Sequence, residues 1–216
     1  MEYIPYRYVV ALGGDGWAYD IDYNGIDHLL STFKDVKIVI LDTEVYSNTG
    51  GQTSKATRDC QITKFDKDGY EVGKKDLFRL AMNYPDTYVA SISLGANPMQ
   101  AIKAIKEAFS WRGPSVIICY APCIEHGIKG GMKCSLKQAK VAVESGYNLL
   151  MRYNPVENKL YMDNKEPNFD KYKEFLDEEK RYNPKGEPYD EECINNTIKY
   201  NAIKRYNYYK ELANKE

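Results

Sequence analysis

The sequence predicts an α/β fold, a doubly wound, mainly parallel sheet followed by a C-terminal helical tail. Short apolar runs rich in β-branched residues end in glycine or acid, and segments with helical spacing separate them. Beyond Pro155 the composition shifts to Lys, Glu, Asn and Tyr. We therefore expect an α/β domain over residues 1–155 and a helical extension over residues 156–216.

The first βαβ unit is predicted from three consecutive segments. Residues 9–12 and 37–41 are short apolar runs of the kind found in strands buried on both faces. Residues 17–33 lie between them and are long enough for one helix. Ligands of parallel sheets gather at the carboxyl ends of the strands. Asp15 and Thr43 follow two such ends, so we expect both at the same edge.

The rest of the α/β domain continues this alternation. Pro98 marks the first turn of a helix, and Gly146 ends another. A polar, irregular segment covers residues 53–73, and its basic side chains are expected to be solvated, with an anion or partner surface as the alternative. Strands are predicted at residues 87–94, 115–120 and 147–153, with the last of these ending the sheet, and helices at residues 75–83, 98–110 and 136–145.

The C-terminal tail shows helix-like spacing over residues 169–181 and 193–212, separated by residues 183–186. Apolar residues in the second helix recur every three or four positions, at Ile198, Ala202, Tyr206 and Tyr209. Such a stripe is more often a packing face than a ligand site. We expect the tail to clasp this domain or an adjacent one.

Composition excludes several classes of protein. A net charge of −1 over 216 residues argues against nonspecific nucleic-acid binding, which needs a concentrated basic surface. The sequence has no apolar stretch near the roughly 20 residues needed to cross a bilayer, and no signal-peptide pattern at its start. A soluble intracellular protein, without nucleic-acid or membrane partners, is the resulting expectation.

Two Gly-rich loops at the predicted sheet edge point to a site for Mg²⁺ and a diphosphate. Residues 13–16 read Gly-Gly-Asp-Gly, Thr43 lies 28 residues after Asp15, and residues 48–52 read Asn-Thr-Gly-Gly-Gln. Mg²⁺ prefers hard oxygen ligands together with substrate phosphates. Glycine lets the backbone approach a phosphate closely. Gly-Asp-Gly alone is also typical of an ordinary turn, so the prediction depends on the spacing and on the second loop.

Five cysteines without regular spacing do not indicate a disulfide framework. Cys119 lies in an apolar run and is expected to be a reduced core thiol. Cys123 follows the end of the same predicted strand, at the edge that carries Asp15. His28 is expected to be structural or on the surface, and His126 either supports the cofactor site or has a structural role.

The longer strings around these residues resemble one family. They read GGDGWAYDI (13–21), LDTEVYSNTGGQTSKAT (41–57), YAPCIEHG (120–127) and AVESGYNLLMRYNP (142–155). In this order they are similar to the C-terminal thiamine-diphosphate domain of pyruvate:ferredoxin (flavodoxin) oxidoreductases, also called pyruvate synthases. The resemblance implies the thiamine-diphosphate-binding fold for residues 1–155.

The same resemblance implies a role for each matching residue. Asp15 and Thr43 would bind Mg²⁺ through side-chain oxygens, and Val45 would bind it through its carbonyl. The commonest thiamine-diphosphate pattern has Asn as second ligand, and Thr43 agrees with the pyruvate oxidoreductase branch instead. The residues that would contact the cofactor are Gly14, Asp15, Gly16, Asn48, Thr49, Gly50 and Gly51.

Cys123 matches the last of four thiolates that hold a [4Fe-4S] cluster in the family. The other three precede the Gly-Asp-Gly motif there and are missing from this sequence. Since a cubane cluster usually needs four thiolates, we expect no cluster in this chain alone and a ligand role for Cys123 in the complete enzyme. The chain is expected to be a piece, either an excised C-terminal region or a split-gene product.

The resemblance further implies an activity for the complete enzyme. It would oxidatively decarboxylate pyruvate to acetyl-CoA and CO₂, and would pass electrons through iron-sulfur clusters to ferredoxin or flavodoxin. The glutamate that activates the cofactor belongs to another domain, so no catalytic residue is expected in this piece, which would be inactive alone. The implied partners are the remaining domains, pyruvate, coenzyme A and a second copy in a homodimer.

Three alternatives stay open at this point. The complete enzyme could act on another 2-oxo acid, it could pass electrons to NADP⁺, or the chain could be a noncatalytic interaction module whose site has decayed. Retention of Asp15, Thr43 and Asn48 argues against the last of these. Enzymes of the resembled family occur in the cytoplasm and in hydrogenosome-like organelles.

Overall fold

A computed structural model describes residues 7–182, 192 and 194–215 of the chain. Eight strands are found in this part of the chain: β1 (Val9–Gly14), β2 (Val36–Asp42), β3 (Val45–Tyr46), β4 (Gln52–Thr53), β5 (Tyr88–Ile92), β6 (Ser115–Tyr120), β7 (Met151–Asn154) and β8 (Lys159–Met162). Six α-helices accompany them: α1 (Tyr23–Ser31), α2 (Leu77–Met82), α3 (Pro98–Ser110), α4 (Ser135–Glu144), α5 (Tyr172–Asp177) and α6 (Tyr200–Ala213).

Six of these strands form one sheet, in the order β1-β2-β6-β5-β7-β8. The first four are parallel, and β7 and β8 are added antiparallel at the far edge. Helices cover both faces, with α1, α2 and α6 on one side and α3 on the other. The predicted doubly wound, mainly parallel α/β fold is confirmed. β3 and β4 form a separate hairpin directly after β2.

The helices between the strands follow the predicted pattern, with one break. α3 has the predicted bounds, because Asn97 accepts a hydrogen bond from the Gln100 backbone N–H at 3.0 Å and Pro98 occupies the first turn. The helix predicted over residues 17–33 is divided instead. A π-helical segment, Gly16–Ile21, ends at Asp22, and α1 begins at Tyr23.

The end of the sheet differs from the prediction. Residues 147–150 are not a strand, because Gly146 turns the chain with a positive φ of 76° and the Asn148 N–H closes α4 on Ala142 O at 2.9 Å. The strand predicted over residues 147–153 therefore begins only at Met151. Nor is it the last strand, because β8 follows it in a hairpin. The expected helical extension from residue 156 thus starts with a strand.

The apolar stripe of the C-terminal tail packs on this same domain. Ile198, Ala202, Tyr206 and Tyr209 are all less than 9% exposed, and the two tyrosines belong to the core beneath the sheet. The predicted break at residues 183–186 and Cys193 lie outside the described residues. Cys60 is disulfide-bonded, which the cysteine spacing did not predict. No described helix has the length and apolar character needed to span a membrane.

One face of the sheet is apolar and open at the β1 edge. Val10, Leu12 and Leu41 point to the side that carries α3, and they are 47%, 66% and 43% exposed. α3 lies over β5 and β6 and leaves these positions of β1 and β2 uncovered. An exposed apolar patch of this kind is typical of a surface that contacts another part of a protein.

Two adjacent tyrosines test how far α6 stabilises the domain. Tyr209 is 1% exposed, packs edge-on against Phe78 and donates a hydrogen bond to Asp76 Oδ2 at 2.6 Å. We expect Tyr209→Ala to lower the free energy of unfolding by about 3 kcal/mol, measured by urea denaturation. Tyr208→Ala is the control, because Tyr208 is 37% exposed. Equal losses for the two variants would contradict a packing role for this face.

Candidate functional site

Asp15, Thr43 and Val45 lie together at the carboxyl ends of β1 and β2. The two strands are parallel neighbours, so the residues that follow them meet at one edge. Thr43 Oγ1 is 2.8 Å from Asp15 Oδ1 and 3.1 Å from the carbonyl oxygen of Val45. The structure therefore places Thr43 Oγ1 within hydrogen-bond distance of the other two oxygen atoms named from the sequence.

The separations of these oxygens fit the requirements of Mg²⁺. Octahedral bonds of 2.0–2.1 Å place neighbouring ligand oxygens about 2.9 Å apart, close to both observed distances. Within residues 7–182, 192 and 194–215, no group of three or more His, Cys, Asp and Glu could hold a metal ion. A cation at this edge would therefore depend on this mixed set of carboxylate, hydroxyl and carbonyl oxygens.

The carboxylate of Asp15 is buried and firmly oriented. Only 2% of the residue is exposed, and Ser54 Oγ donates to Asp15 Oδ2 at 2.6 Å, so that Oδ1 faces Thr43. Burial and the charge of Asp42 raise the pKa of Asp15 to about 6, against the hydrogen bonds from Ser54 and Thr43. A carboxylate in this state gains stability from a nearby cation.

Glu44 lies between Thr43 and Val45, the two expected Mg²⁺ ligands of this turn. Its backbone has a φ of 66°, in the left-handed region that non-glycine residues rarely adopt. The resulting bend places the Thr43 side chain and the Val45 carbonyl on the same side. The Glu44 side chain is fully buried away from them. The surrounding contacts must stabilise this conformation, which is otherwise unfavourable.

Those contacts form a buried network of charges and hydroxyls around the Glu44 carboxylate. Arg58 Nε donates to Oε1 at 2.8 Å, and Tyr147 OH donates to Oε2 at 2.6 Å. Further donors reach the same carboxylate from Gln61 at 3.2 Å, Lys74 at 3.3 Å and Arg181 at 3.5 Å.

The network also fixes the electrostatics of the loop. Burial opposes ionisation of Glu44, but Lys74, Arg58 and Arg181 outweigh it and hold the pKa of its carboxyl far below the ordinary value. Lys74 additionally pairs with Asp42 at 2.5 Å. Arg181 Nη1 donates to the carbonyl of Thr43 at 3.1 Å. The turn of residues 43–45 is thus held through the Glu44 side chain and through the backbone carbonyl of Thr43.

The loop predicted to contact a diphosphate is the tip of the β3–β4 hairpin. Asn48 and Thr49 are exposed there, and Thr49 Oγ1 donates to Gln52 Oε1 at 2.7 Å. Gly50 and Gly51 have φ values of 118° and 83°, which favour glycine. Of these four residues Asn48 and Thr49 are exposed, whereas Gly50 is half-buried and Gly51 is buried beside the His126 ring.

The glycines of the first loop have different surroundings. A Cβ on Gly14 would meet open space, which is compatible with close approach of a ligand. A Cβ on Gly16 would lie 2.1 Å from the Tyr46 ring, so this glycine makes room for an aromatic side chain.

Cys123 lies close to Thr43, with the Ser47 hydroxyl between them, and is 4% exposed. Its sulfur accepts a hydrogen bond from the His126 backbone N–H at 3.3 Å and lies 3.3 Å from Ser47 Oγ. His126 Nε2 lies 3.1 Å from the carbonyl oxygen of Ser47. Cys119 is a buried free thiol, as expected, and burial raises its pKa to about 11. His28 lies exposed on α1.

Sequence reasoning missed several residues that shape this site. Ser47 and Ser54 gave no signal, because isolated serines in a loop are common. Glu44 offered one, since an acid between two expected ligands needs an explanation. The expectation of solvated charges in residues 53–73 is wrong for Arg58, which is 9% exposed and paired with Glu44.

Comparisons with known proteins identify a matching family and several similar sequences. The family described as "Thiamine pyrophosphate enzyme, C-terminal TPP binding domain" matches residues 2–119. Pyruvate-flavodoxin oxidoreductase of Klebsiella pneumoniae is 44% identical over 222 aligned residues, which cover 100% of this chain and 19% of the relative. Pyruvate dehydrogenase [NADP(+)] of Cryptosporidium parvum is 56% identical over 146 residues, covering 67% of this chain and 7% of the relative.

A solved structure shows the same fold. It is a 2-oxoglutarate:ferredoxin oxidoreductase from Magnetococcus marinus, with a TM-score of 0.53 and 23% sequence identity. The match covers 58% of this chain and 43% of that one. The resemblance to 2-oxo acid oxidoreductases that the motifs indicated is thus confirmed. This chain spans less than a fifth of the length of the two sequence relatives named above.

The buried network predicts a large effect of removing one charge. We expect Glu44→Gln to lower the free energy of unfolding by about 3 kcal/mol at pH 7, because Arg58, Lys74 and Arg181 lose their shared carboxylate. Glu71→Gln, at an exposed glutamate, is the control and should change stability by less than about 0.5 kcal/mol. Urea denaturation measures both.

The effect of Glu44→Gln should also depend on pH. The pKa of Glu44 is lower in the folded state than in the unfolded chain. Its contribution is therefore complete above the unfolded pKa, about 4.3, and is lost as the pH falls toward the lower folded value. The stability difference between wild type and Glu44→Gln should shrink below about pH 4. A difference that stays constant down to pH 3 would contradict this assignment.

Proposed function

Because the chain belongs to the family of thiamine pyrophosphate enzymes, as their C-terminal TPP binding domain, we propose that it holds the Mg²⁺ and diphosphate of that cofactor. Asp15 and Thr43 would bind Mg²⁺ through side-chain oxygens and Val45 through its carbonyl. The observation that supports this most directly is the meeting of these three oxygens at separations of 2.8 and 3.1 Å. Thiamine pyrophosphate is the thiamine diphosphate named in the sequence analysis.

The diphosphate would lie between the two Gly-rich loops. Its contacts would come from Gly14 and Gly16 on one side, and from Asn48, Thr49, Gly50 and Gly51 on the other. The open space at Gly14 and the exposed tip of the β3–β4 hairpin support this placement. Mg²⁺ usually keeps positions for substrate phosphates and water when few protein groups bind it.

For the complete enzyme we propose oxidative decarboxylation of pyruvate to acetyl-CoA and CO₂. When bound, the thiamine ring supplies the electron sink that decarboxylation of a 2-oxo acid requires. The name of the Klebsiella relative, which aligns with all of this chain, supports pyruvate as substrate and flavodoxin as electron acceptor, and ferredoxin is the other acceptor that we propose. This chain would contribute cofactor binding, and it would form no acetyl-CoA alone.

Cys123 would be one of four thiolate ligands of a [4Fe-4S] cluster in the complete enzyme. Its position supports this role, because the Ser47 hydroxyl contacts both the Cys123 sulfur and Thr43, one of the proposed Mg²⁺ ligands. The remaining three thiolates would come from another part of that enzyme. Cysteine ligation of this kind is usual for [4Fe-4S] clusters.

A second electron acceptor is also supported by an observation. The Cryptosporidium relative is 56% identical and is named as an NADP-dependent pyruvate dehydrogenase. The site described here would serve either enzyme, because the acceptor would bind elsewhere. Reduction of NADP⁺ rather than flavodoxin or ferredoxin by the complete enzyme would establish this alternative.

The open apolar face formed by Val10, Leu12 and Leu41 supports contact with other domains of the complete enzyme. The relatives are more than five times as long as the aligned part, which leaves ample chain to cover this face. We further propose that the complete enzyme is a homodimer in the cytoplasm.

Replacement of one metal ligand tests the cofactor site. In the complete enzyme we expect Asp15→Asn to weaken Mg²⁺-dependent binding of thiamine diphosphate by about 100-fold, because a carboxylate ligand is lost. Glu125→Gln, at an exposed glutamate near Cys123, should leave binding unchanged. Isothermal titration calorimetry with Mg²⁺ and with a chelator measures both. Wild-type affinity in Asp15→Asn would overturn the assignment.

Replacement of Cys123 tests the cluster separately. In the complete enzyme we expect Cys123→Ser to lose or strongly alter the electron paramagnetic resonance signal of one cluster, because serine replaces a thiolate ligand. Cys134→Ser, at a half-buried free cysteine, is the control and should leave all signals unchanged. An unchanged spectrum in Cys123→Ser would exclude Cys123 as a ligand.

A further inference from the structure

Ser47 lies between the proposed cation site and Cys123. Its hydroxyl is 2.8 Å from Thr43 Oγ1, 3.3 Å from Cys123 Sγ and 3.4 Å from the carbonyl oxygen of Val45. A serine hydroxyl has one proton and can donate it to only one of these atoms at a time. The choice among them decides whether the sulfur receives this hydrogen bond.

The proton of Thr43 faces a similar choice. In the structure Thr43 Oγ1 has Asp15 Oδ1 and Val45 O as acceptors, while its own oxygen accepts from Ser47. A cation bound by Asp15 and Val45 would direct the lone pairs of both acceptors toward itself. Among the contacts of the described residues, Ser47 Oγ is then the acceptor left within reach of the Thr43 proton.

We infer that Ser47 is a positioning residue that couples the cation site to the Cys123 sulfur. Cation binding reverses the Thr43–Ser47 hydrogen bond, so that Thr43 becomes the donor and the Ser47 proton turns to Cys123 Sγ. No proton enters or leaves the site in this exchange. The inference rests on the proposed Mg²⁺ site and on Cys123 as a cluster ligand.

The surroundings favour this exchange over a general loosening of the loop. His126 already donates its backbone N–H to Cys123 Sγ at 3.3 Å, and its ring nitrogen Nε2 lies 3.1 Å from the Ser47 carbonyl. A Cβ on Gly51 would lie only 2.9 Å from the His126 ring, so the ring packs closely on the hairpin. Ser47 and Cys123 are therefore held together whichever way the proton points.

A second hydrogen bond to a ligand sulfur has a defined consequence for the cluster. Hydrogen bonds to the sulfurs are one of the factors that set the reduction potential of an iron-sulfur cluster, because they stabilise the added negative charge of the reduced state. The cluster bound by Cys123 should therefore accept one electron more readily when Mg²⁺ and thiamine diphosphate are bound.

The test is a reductive titration of the complete enzyme, followed by electron paramagnetic resonance. The potential of the cluster that depends on Cys123 is measured with Mg²⁺-thiamine diphosphate bound and after its removal. In wild type we expect loading to raise the one-electron equilibrium constant about two- to tenfold, the size of one hydrogen bond. A tenfold change corresponds to about 59 mV.

Three variants complete the test. Ser47→Ala should abolish the shift on loading, Ser47→Thr should retain it because the hydroxyl is kept, and the exposed Ser31→Ala should match wild type. Each variant is compared with itself in the loaded and cofactor-free states, so that general changes in the protein cancel. A shift of wild-type size in Ser47→Ala would overturn the inference.

Two measurements on the same samples separate this failure from failure of the proposed function. Calorimetry reports Mg²⁺-dependent cofactor binding, and Cys123→Ser reports whether the titrated cluster depends on that residue. If folded enzyme shows no Mg²⁺-dependent cofactor binding, or if Cys123→Ser leaves the titrated cluster unchanged, the proposed sites are wrong and the inferred coupling between them is wrong too. If both measurements support the sites and the cluster potential of Ser47→Ala still shifts on loading, only the coupling through Ser47 is wrong.

Discussion

Glu44 lies between two of the proposed Mg²⁺ ligands, in a left-handed backbone conformation and with its carboxylate fully buried. Neither condition is favourable by itself. Three cations, Arg58, Lys74 and Arg181, surround the carboxylate, and they also contact Asp42, Glu179 and the Thr43 carbonyl. Three carboxylates and three cations thus balance. The position of the Thr43 and Val45 oxygens depends on this balance.

The network also explains why the second half of the chain matters to a site in the first half. The match to the family ends at residue 119, and all proposed Mg²⁺ ligands precede it. Yet Tyr147 and Arg181 lie beyond that limit and bind the Glu44 carboxylate directly. Residues after the matched region of this chain therefore support the turn that carries Thr43 and Val45.

The sequence predicted the elements that are determined by residues close together in the chain. Apolar runs located β1, β2 and β6, and the capping Asn97 with Pro98 located α3, because these signals act within a few residues. β8 was missed because a four-residue strand in a hairpin has too short a pattern. Ser47, Ser54 and the partners of Glu44 were missed because their roles arise from contacts across 14 to 137 residues of chain, such as Arg58 to Glu44 and Arg181 to Glu44.

The long reach of the Glu44 network has a consequence for the order in which the protein is made. Arg181 follows Glu44 by 137 residues, so it leaves the ribosome after Asp15, Thr43 and Val45. At about 5 to 20 residues per second, translation delivers Arg181 roughly 7 to 27 s after Glu44. During this interval the turn that carries Thr43 and Val45 lacks one of its stabilising charges. Completion of the proposed metal site is therefore coupled to synthesis of the segment that carries Arg181, and a chain interrupted before Arg181 would leave the Thr43–Val45 turn without this contact.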